Sequence, residues 1–486
     1  MSEHISQGVI STDTDNDSII PGFHPIEPDS RDKQDSQKGT DIRIYEKNGG
    51  IIVNPIEKEM PPKLSVFKAT LMLTNICVGA TIFTFAVRVK SFGLVWYIIA
   101  CILTGIINYW TIMRGTLASS RRSVIKDYSL LTLSILGKKP RFILNIFIIL
   151  YSYGCMMCFF SLLFPLFGRF IQNIAYNNKY NTYEEFEKLK WGKTYIKFFF
   201  FIVMIFVVAI LCATANINKL KYSSHIAVAF MIYSLLVVMI QCSDYFNYYK
   251  KTKYIKEDKK TYPNWFNLSK SFTKDLDFFK GMTNLFCSYA CHPGMFPIFE
   301  EFKGKKNGER KMRYSAFFST CLTTVLYIIS IVCSFLTDPI SPEDLIVYRK
   351  NKGNGKDIAM SISKLFVAFN LILTMPEYFY NLRLNVENTF IGDKMTGKLK
   401  YIFTFLSCIG CAVIGAIYDK VLSYISYIGG FTAVFICYLY PILIYVFSTE
   451  KKLKYWKNVL EIILAVILCI IGVIGGIATI IDDVKK

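Results

Sequence analysis

The sequence predicts an all-α polytopic membrane protein with about eleven transmembrane helices, and three observations lead to that fold class. The 486 residues are 53% apolar, and only 19% are charged. The apolar residues form long runs, close to the roughly 20 residues that cross a hydrocarbon core. Short basic loops separate these runs. Since backbone groups in lipid must be hydrogen-bonded within their own segment, each run is predicted to be a helix.

The first 62 residues differ in composition from the rest of the chain. They hold six Lys and Arg residues against twelve Asp and Glu residues, whereas the whole chain has a formal net charge of +20. Such a segment buries too little apolar surface to fold alone. We therefore predict a disordered, acidic cytoplasmic tail over residues 1–62, followed by one transmembrane domain over residues 63–486.

Two of the predicted helices are interrupted, and their spacing suggests how the domain is organised. The predicted helices cover 64–88, 93–115, 141–169, 195–215, 222–243, 279–300, 315–336, 359–383, 399–418, 421–447 and 456–480. The first contains a polar stretch, and the sixth is broken by Pro293 and Gly294. Weak helices at corresponding places in two halves are typical of inverted-repeat transporters. We predict a first repeat over about 64–243, a second over about 279–447, and an eleventh helix at about 456–480.

The basic residues lie in the loops between apolar runs, where Lys and Arg meet lipid headgroups. They do not form one continuous stripe, so we do not expect a nucleic-acid partner. The loop charges mildly favour a cytoplasmic N-terminus. The glycosylation sequon Asn267-Leu268-Ser269 fits an outer or lumenal position for the loop that contains it.

Two cysteine pairs have CxxC spacing, Cys155 with Cys158 and Cys408 with Cys411. A metal or redox pair is one interpretation. Because neither pair has a nearby His or acidic partner, we interpret both as small residues that pack between helices. No nucleophile–base pair suggests an enzyme, and no cofactor is expected beyond a coupling ion.

Predicted helix 1 supplies the first candidate substrate-binding residues: Val78, Gly79, Ala80 and Thr81. If this helix opens at Gly79 and Ala80, backbone amides and carbonyls are freed at membrane depth, where they must line a cavity. Amides at the start of the second half suit a carboxylate, and carbonyls suit an ammonium group or Na⁺. A zwitterionic amino acid needs both. A patch of small packing residues is the alternative.

Predicted helix 6 supplies Ser288, Tyr289 and His292. An ionisable group within a membrane helix is by default a functional candidate. His292 is expected to bind substrate or carry a coupled proton. Alternatively, the imidazole is neutral and satisfies a carbonyl freed by Pro293.

Predicted helix 8 and residue Asn75 supply the candidates for ion coupling. The Thr374 hydroxyl suits a small hard cation, and Pro376 frees a carbonyl. Glu377 is a carboxylate inside an apolar run and is expected to join a cation or proton site. A water-filled cavity, or pairing with Arg383, would equally explain it.

Five segments in chain order carry a family resemblance. They are 75–83, 216–224, Cys291-His292-Pro293 with Pro297-Ile298, Thr374 with Pro376 and Arg383, and Gly429-Gly430 with Pro441. With these motifs the chain resembles the amino acid/auxin permease family, especially its sodium-coupled neutral amino acid transporter branch. The resemblance covers about residues 64–447, and the Cys-His-Pro segment is its most specific part.

The resemblance implies a LeuT-type fold with five helices in each inverted repeat and one extra helix. It also implies a cytoplasmic N-terminus and amino acid binding at the breaks of helices 1 and 6. In the sodium-coupled members, a helix 1 asparagine and a helix 8 threonine help to hold Na⁺, and these positions correspond to Asn75 and Thr374.

The chain departs from the family pattern at three places. Thr81 replaces the second glycine of the helix 1 motif, so the backbone approaches a substrate less freely. Asn381 replaces a proline of helix 8. The loops 170–194 and 244–278 contain no cysteine, so the outer disulfide of some members is absent.

We therefore predict a secondary active transporter of neutral or cationic amino acids, coupled to a sodium or proton gradient and working by alternating access. It is expected in a plasma membrane or a vacuolar or lysosome-like membrane. The alternative is an amino acid sensor without transport, or a subunit of a larger membrane complex, because of the acidic tail and the altered helix 1 motif. A receptor or channel fits the two paired breaks less well.

Overall fold

The computed structural model describes most of the predicted membrane domain and a short segment before it. The described residues are 42–47, 50–55, 64–121, 127–175, 186, 195–214, 217–252, 276–302, 307–337, 344–349, 357–392, 395, 397–418, 420–449 and 455–485. Most of the predicted tail lies outside these residues, and so does the sequon at Asn267.

The described part of the membrane domain is built of α-helices. They are α1 (Val66–Cys77), α2 (Phe85–Phe92), α3 (Leu94–Ser120), α4 (Tyr128–Leu136), α5 (Lys138–Ala175), α6 (Tyr195–Ala213), α7 (Ile217–Thr252), α8 (Asp277–Ser288), α9 (His292–Glu300), α10 (Gly308–Thr337), α11 (Ile358–Val386), α12 (Gly397–Ile417), α13 (Val421–Ile428), α14 (Tyr440–Phe447) and α15 (Trp456–Lys485). Short 3₁₀ turns lie at Ala80–Phe83 and Ile346–Tyr348. Three π-helical segments lie at Glu387–Ile391, Gly429–Ala433 and Phe435–Leu439.

These helices confirm the predicted fold class of an all-α polytopic membrane protein. Eight helical segments in the described chain are long and apolar enough to cross a membrane. Their outward faces carry large apolar side chains such as Ile106, Leu406 and Ile470, which are 59%, 64% and 53% exposed. Such a surface suits lipid rather than water. The count of eleven spans stays a prediction, and so does the assignment of two inverted repeats.

The helix boundaries differ from the predicted ones in places. The loop predicted over 116–140 is wrong in part, because α3 continues to Ser120 and α4 occupies Tyr128–Leu136. The Asp127 carboxylate caps α4 by accepting from the Ser129 N–H, and Gly137 ends it at a φ of 95°. Both are ordinary helix-terminus signals that lie within a loop-like composition.

A β-hairpin lies within the segment predicted to be disordered. Strand β1 (Ile42–Lys47) pairs antiparallel with β2 (Gly50–Pro55), and Lys47 is opposite Gly50. The disordered tail over residues 1–62 stays a prediction, and this hairpin lies within it. In the sequence, Asn48-Gly49 separates the two strands, and Asn-Gly is the strongest short hairpin signal.

Glycines allow the helices that surround the breaks to pack closely. A Cβ atom on Gly415 of α12 would lie 2.7 Å from the Met157 carbonyl oxygen of α5. At Gly429 it would lie only 2.0 Å from the Thr283 carbonyl oxygen of α8. Small residues at helix contacts are the usual means of close approach in membranes.

Candidate functional site

The first break lies in predicted helix 1, between α1 and α2. Helix α1 ends at Cys77, and Val78 leaves helical geometry at φ −84° and ψ 70°. Gly79 is extended, and the 3₁₀ turn Ala80–Phe83 follows before α2 begins. The predicted opening at Gly79 and Ala80 is confirmed, with the α-helix ending just before these residues.

The second break lies in predicted helix 6, between α8 and α9. Helix α8 ends at Ser288, and α9 begins at His292 with Pro293 in its first turn. A proline is tolerated in the first turn because its missing N–H would have no partner within the helix. The interruption is confirmed, but it lies at residues 289–291, before the proline that signalled it.

Three tyrosine hydroxyls contact carbonyls of the residues that border or form the two breaks. The Tyr327 hydroxyl of α10 lies 2.7 Å from the carbonyl oxygens of both Cys77 and Ser288, the last residues of α1 and α8. Tyr151 of α5 donates to the Ala290 carbonyl at 3.0 Å. Sequence reasoning missed these tyrosines, because each acts on a break in a distant part of the chain.

The third of these tyrosines belongs to α11 and serves the first break. The Tyr378 hydroxyl lies 3.5 Å from the Ile76 carbonyl oxygen. Its ring packs edge-to-face against Phe159, which also faces Gly79. Helices α5, α10 and α11 therefore all contribute to the walls around the breaks.

The predicted binding residues of the second break contribute mainly through their backbone. The Ser288 hydroxyl donates to the Asn284 carbonyl within its own helix at 2.8 Å. The Tyr289 hydroxyl lies 2.8 Å from the Thr324 hydroxyl oxygen of α10. Both side chains are therefore engaged, while the Ser288 carbonyl points to Tyr327.

At the first break, Val78 is buried and Thr81 is half-buried. The backbone of Ala80 opens the 3₁₀ turn. Val78, Gly79, Ala80 and Thr81 carry no charged side chains, so they offer mainly backbone groups at the break.

His292 is fully buried at the start of α9. Its Nε2 atom lies 3.0 Å from the Thr111 hydroxyl oxygen of α3. Its Nδ1 atom has no hydrogen-bond partner among the described residues. The structure thus pairs the imidazole with Thr111, and not with a carbonyl freed by Pro293.

A hydrogen bond joins two of the three predicted coupling residues. The Asn75 amide donates to the Glu377 carboxylate at 3.5 Å, which joins α1 to α11. The other amide atom, Asn75 Oδ1, is buried and has no partner in the described chain. The Thr374 hydroxyl instead donates to the Asn370 carbonyl at 2.8 Å, one turn earlier in α11.

Glu377 is a half-buried carboxylate without a cationic partner in the described residues. Arg383, which the sequence offered as a partner, lies 3.8 Å from Glu387 instead. A Cβ atom on Gly294 of α9 would lie 3.7 Å from Glu377 Oε1. The carboxylate therefore lies among α1, α9 and α11, beside both interrupted helices.

The two CxxC pairs, Cys155 with Cys158 and Cys408 with Cys411, are buried within the helices. All four thiols are free and buried. No group of three or more His, Cys, Asp and Glu residues in that part of the chain is placed to hold a metal ion.

Fold and site together define a polytopic membrane protein with two discontinuous helices whose breaks meet at one tyrosine. Residues 62–482 match the family described as "Transmembrane amino acid transporter protein". The chain belongs to this family, which confirms the family resemblance seen in the sequence.

The relatives include transporters of two kinds. Vacuolar amino acid transporter 2 of Saccharomyces cerevisiae is 25% identical, over 94% of this chain and 92% of its own length. Sodium-coupled neutral amino acid symporter 2 of Danio rerio is 24% identical, over 40% of this chain and 39% of its own. Sodium-coupled neutral amino acid transporter 4 of Homo sapiens is 22% identical, over 40% and 36%. The relatives support amino acid transport and are not enzymes by name.

Proposed function

We propose that the protein is a secondary active transporter of neutral or cationic amino acids, driven by a sodium or proton gradient. The observation that carries the proposal is the meeting of two helix breaks at Tyr327. Unpaired backbone groups at membrane depth are tolerated only where they line a cavity. Paired breaks of this kind are where transporters bind their substrates.

A substrate zwitterion fits the chemistry of the breaks. The carboxylate is expected at the amides that open the 3₁₀ turn and α2, because free N–H groups favour negative charge. The ammonium group is expected at the break carbonyls. The residues assigned to substrate binding are Val78, Gly79, Ala80, Thr81, Ser288, Tyr289 and His292.

The coupling ion is assigned to Asn75, Glu377 and Thr374. Na⁺ prefers oxygen ligands, and the buried Asn75 Oδ1 atom is an oxygen without a hydrogen-bond donor in the described chain. The Thr374 oxygen donates its proton but keeps lone pairs for a cation. A proton would instead reside on Glu377, whose carboxylate has the Asn75 amide as its one hydrogen-bond partner among the described residues.

Alternating access follows from the division of each interrupted helix into two short halves. Each half can tilt about its break while the long helices α5 and α11 stay in place. We assign the N-terminus to the cytoplasmic side. The similarity to a vacuolar transporter of yeast favours a vacuolar membrane, whereas a plasma membrane is the other assignment.

Uptake by proteoliposomes tests this proposal. Purified protein is reconstituted, and labelled L-alanine, L-glutamine, L-lysine and L-arginine are supplied under an imposed Na⁺ gradient, a proton gradient, or neither. Accumulation of at least one amino acid under one gradient is expected. No uptake of any amino acid under either gradient would contradict transport, and binding without flux would favour a sensor.

A further inference from the structure

The hydroxyl of Tyr327 contacts a carbonyl from each interrupted helix. The carbonyl oxygens of Cys77 and Ser288 each lie 2.7 Å from it. A phenol has one proton and can donate to only one of these acceptors at a time. The Cys77 carbonyl also accepts from the Gly79 N–H at 2.9 Å, whereas the Ser288 carbonyl has Tyr327 as its one donor among the described residues.

The Tyr327 ring holds this hydroxyl in place. The side chain is fully buried. Its ring packs edge-to-face against Phe85 of α2 and Tyr289 of the second break, with centroids 5.1 Å away in both cases. Because both neighbours belong to the interrupted helices, the hydroxyl stays at the breaks as long as the halves stay packed.

The same face of α10 supports the breaks along their length. The Ser319 hydroxyl lies 3.1 Å from that of Thr74 in α1. One turn beyond Tyr327, the Ser330 hydroxyl donates to the Ile82 carbonyl of the 3₁₀ turn. Helix α10 thus supplies hydroxyl groups that hydrogen-bond to residues at both breaks.

After releasing its substrate, a gradient-driven transporter must reorient its empty site to the other side of the membrane. This empty return step leaves the break carbonyls without the substrate's ammonium group. When substrate leaves, the carbonyls that held its ammonium group lose their donors. Buried carbonyls without donors raise the free energy of any state from which water is excluded. The return step passes through such a state if the breaks close on themselves.

We propose that Tyr327 stands in for the substrate ammonium group when the site is empty. Its proton satisfies a break carbonyl and lowers the free energy of the closed empty state, so that the unloaded transporter can reorient. Loaded protein does not need this donor, because the ammonium group brings its own. The inference rests on the proposed function and makes Tyr327 a positioning residue for the return step.

The test compares net transport with exchange in proteoliposomes, using labelled L-alanine and L-arginine as probes. Efflux into substrate-free buffer requires the empty return step, whereas exchange against unlabelled substrate does not. Tyr327→Phe keeps the ring and removes the proton. We expect net efflux to fall about tenfold, the effect of one unsatisfied buried carbonyl on a barrier, while exchange stays within about twofold of wild type.

The matched control is Tyr128→Phe. Tyr128 is also fully buried and donates at 2.7 Å to a helix carbonyl, that of Ile436. Its ring stacks on Phe296 of α9, but in the described chain it makes no hydrogen bond to a break carbonyl. The ratio of net efflux to exchange should stay at the wild-type value. A purely structural role for Tyr327 would lower both fluxes together and leave this ratio unchanged.

A second variant keeps the test decisive if Tyr327→Phe does not fold. Tyr327→4-aminophenylalanine keeps the shape and offers two N–H donors for two carbonyls, so net efflux should equal or exceed the wild-type rate relative to exchange. A lower ratio in this variant, or an unchanged ratio in a folded Tyr327→Phe protein, overturns the inference alone. Absence of wild-type flux for every amino acid tested overturns the proposed function instead.

Discussion

Glu377 offers the sharpest prediction about coupling, because it is a carboxylate beside both interrupted helices with no cationic partner in the described chain. Replacing it by glutamine removes the charge and the proton site but keeps the size and an oxygen for Asn75. We therefore expect Glu377→Gln to lose gradient-driven accumulation while it still binds substrate.

The size of the effect follows from the lost charge. Two unit charges about 4 Å apart at an effective dielectric constant of about 20 attract each other by about 4 kcal/mol. Losing that attraction weakens Na⁺ binding by about 10³-fold. The glutamine amide does not take up or release a proton near neutral pH. Proton coupling through position 377 would therefore be lost altogether. The hydrogen bond to Asn75, at 3.5 Å, adds little to either figure.

The assay is the accumulation ratio of labelled amino acid under a Na⁺ or proton gradient in proteoliposomes. Glu377→Asp keeps the charge and should retain coupling with weaker ion affinity. Glu309→Gln removes a carboxylate whose ion pair with Arg313 is exposed, and it should behave as wild type. If Glu377→Gln accumulates substrate as wild type does, under the same gradient, Glu377 has no role in coupling.

Two further predictions concern stability in detergent, read as the midpoint of thermal unfolding. Gly429→Ala places a Cβ atom 2.0 Å from the Thr283 carbonyl oxygen and should cost about 1–3 kcal/mol of unfolding free energy. A Cβ atom at Gly410 meets no described atom within 4 Å, so Gly410→Ala should be neutral or stabilising. Equal midpoints for the two variants would contradict the packing. Asp483→Asn weakens a charged hydrogen-bond cluster that includes Lys420 at 3.1 Å and should cost about 1.5–3 kcal/mol. An unchanged midpoint would show that this cluster contributes nothing.

The positions of both helix breaks could be predicted because their causes are local. Pro293 and the small residues around Gly79 alter backbone hydrogen bonding within a few residues of themselves. The first break lies where it was predicted, and the second lies within a few residues of Pro293. The long apolar runs predicted the membrane helices for the same reason, since hydropathy is a property of the segment itself.

The groups that satisfy the breaks could not be predicted in this way. Tyr327 lies 250 positions beyond Cys77, and the chain holds 31 tyrosines with nothing in the local sequence to single one out. Asn75 and Glu377 are even farther apart, at 302 positions. Sequence reasoning offered Arg383 as a partner for Glu377. Arg383 pairs with Glu387 instead, because these two residues are four positions apart and so lie on the same face of the helix.

The carboxyl end of α15 has a consequence for handling the protein. Lys280 of α8 bonds to both Asp277 and Asp482. The neighbouring Asp483 accepts from Lys420 and from the Tyr427 hydroxyl at 2.6 Å. The last turn of α15 is thus bonded to the first half of the second interrupted helix and to both ends of α13. Reporters and affinity tags are best attached ahead of the hairpin, because trimming the final turn would leave the buried Lys280 ammonium with Asp277 as its remaining carboxylate.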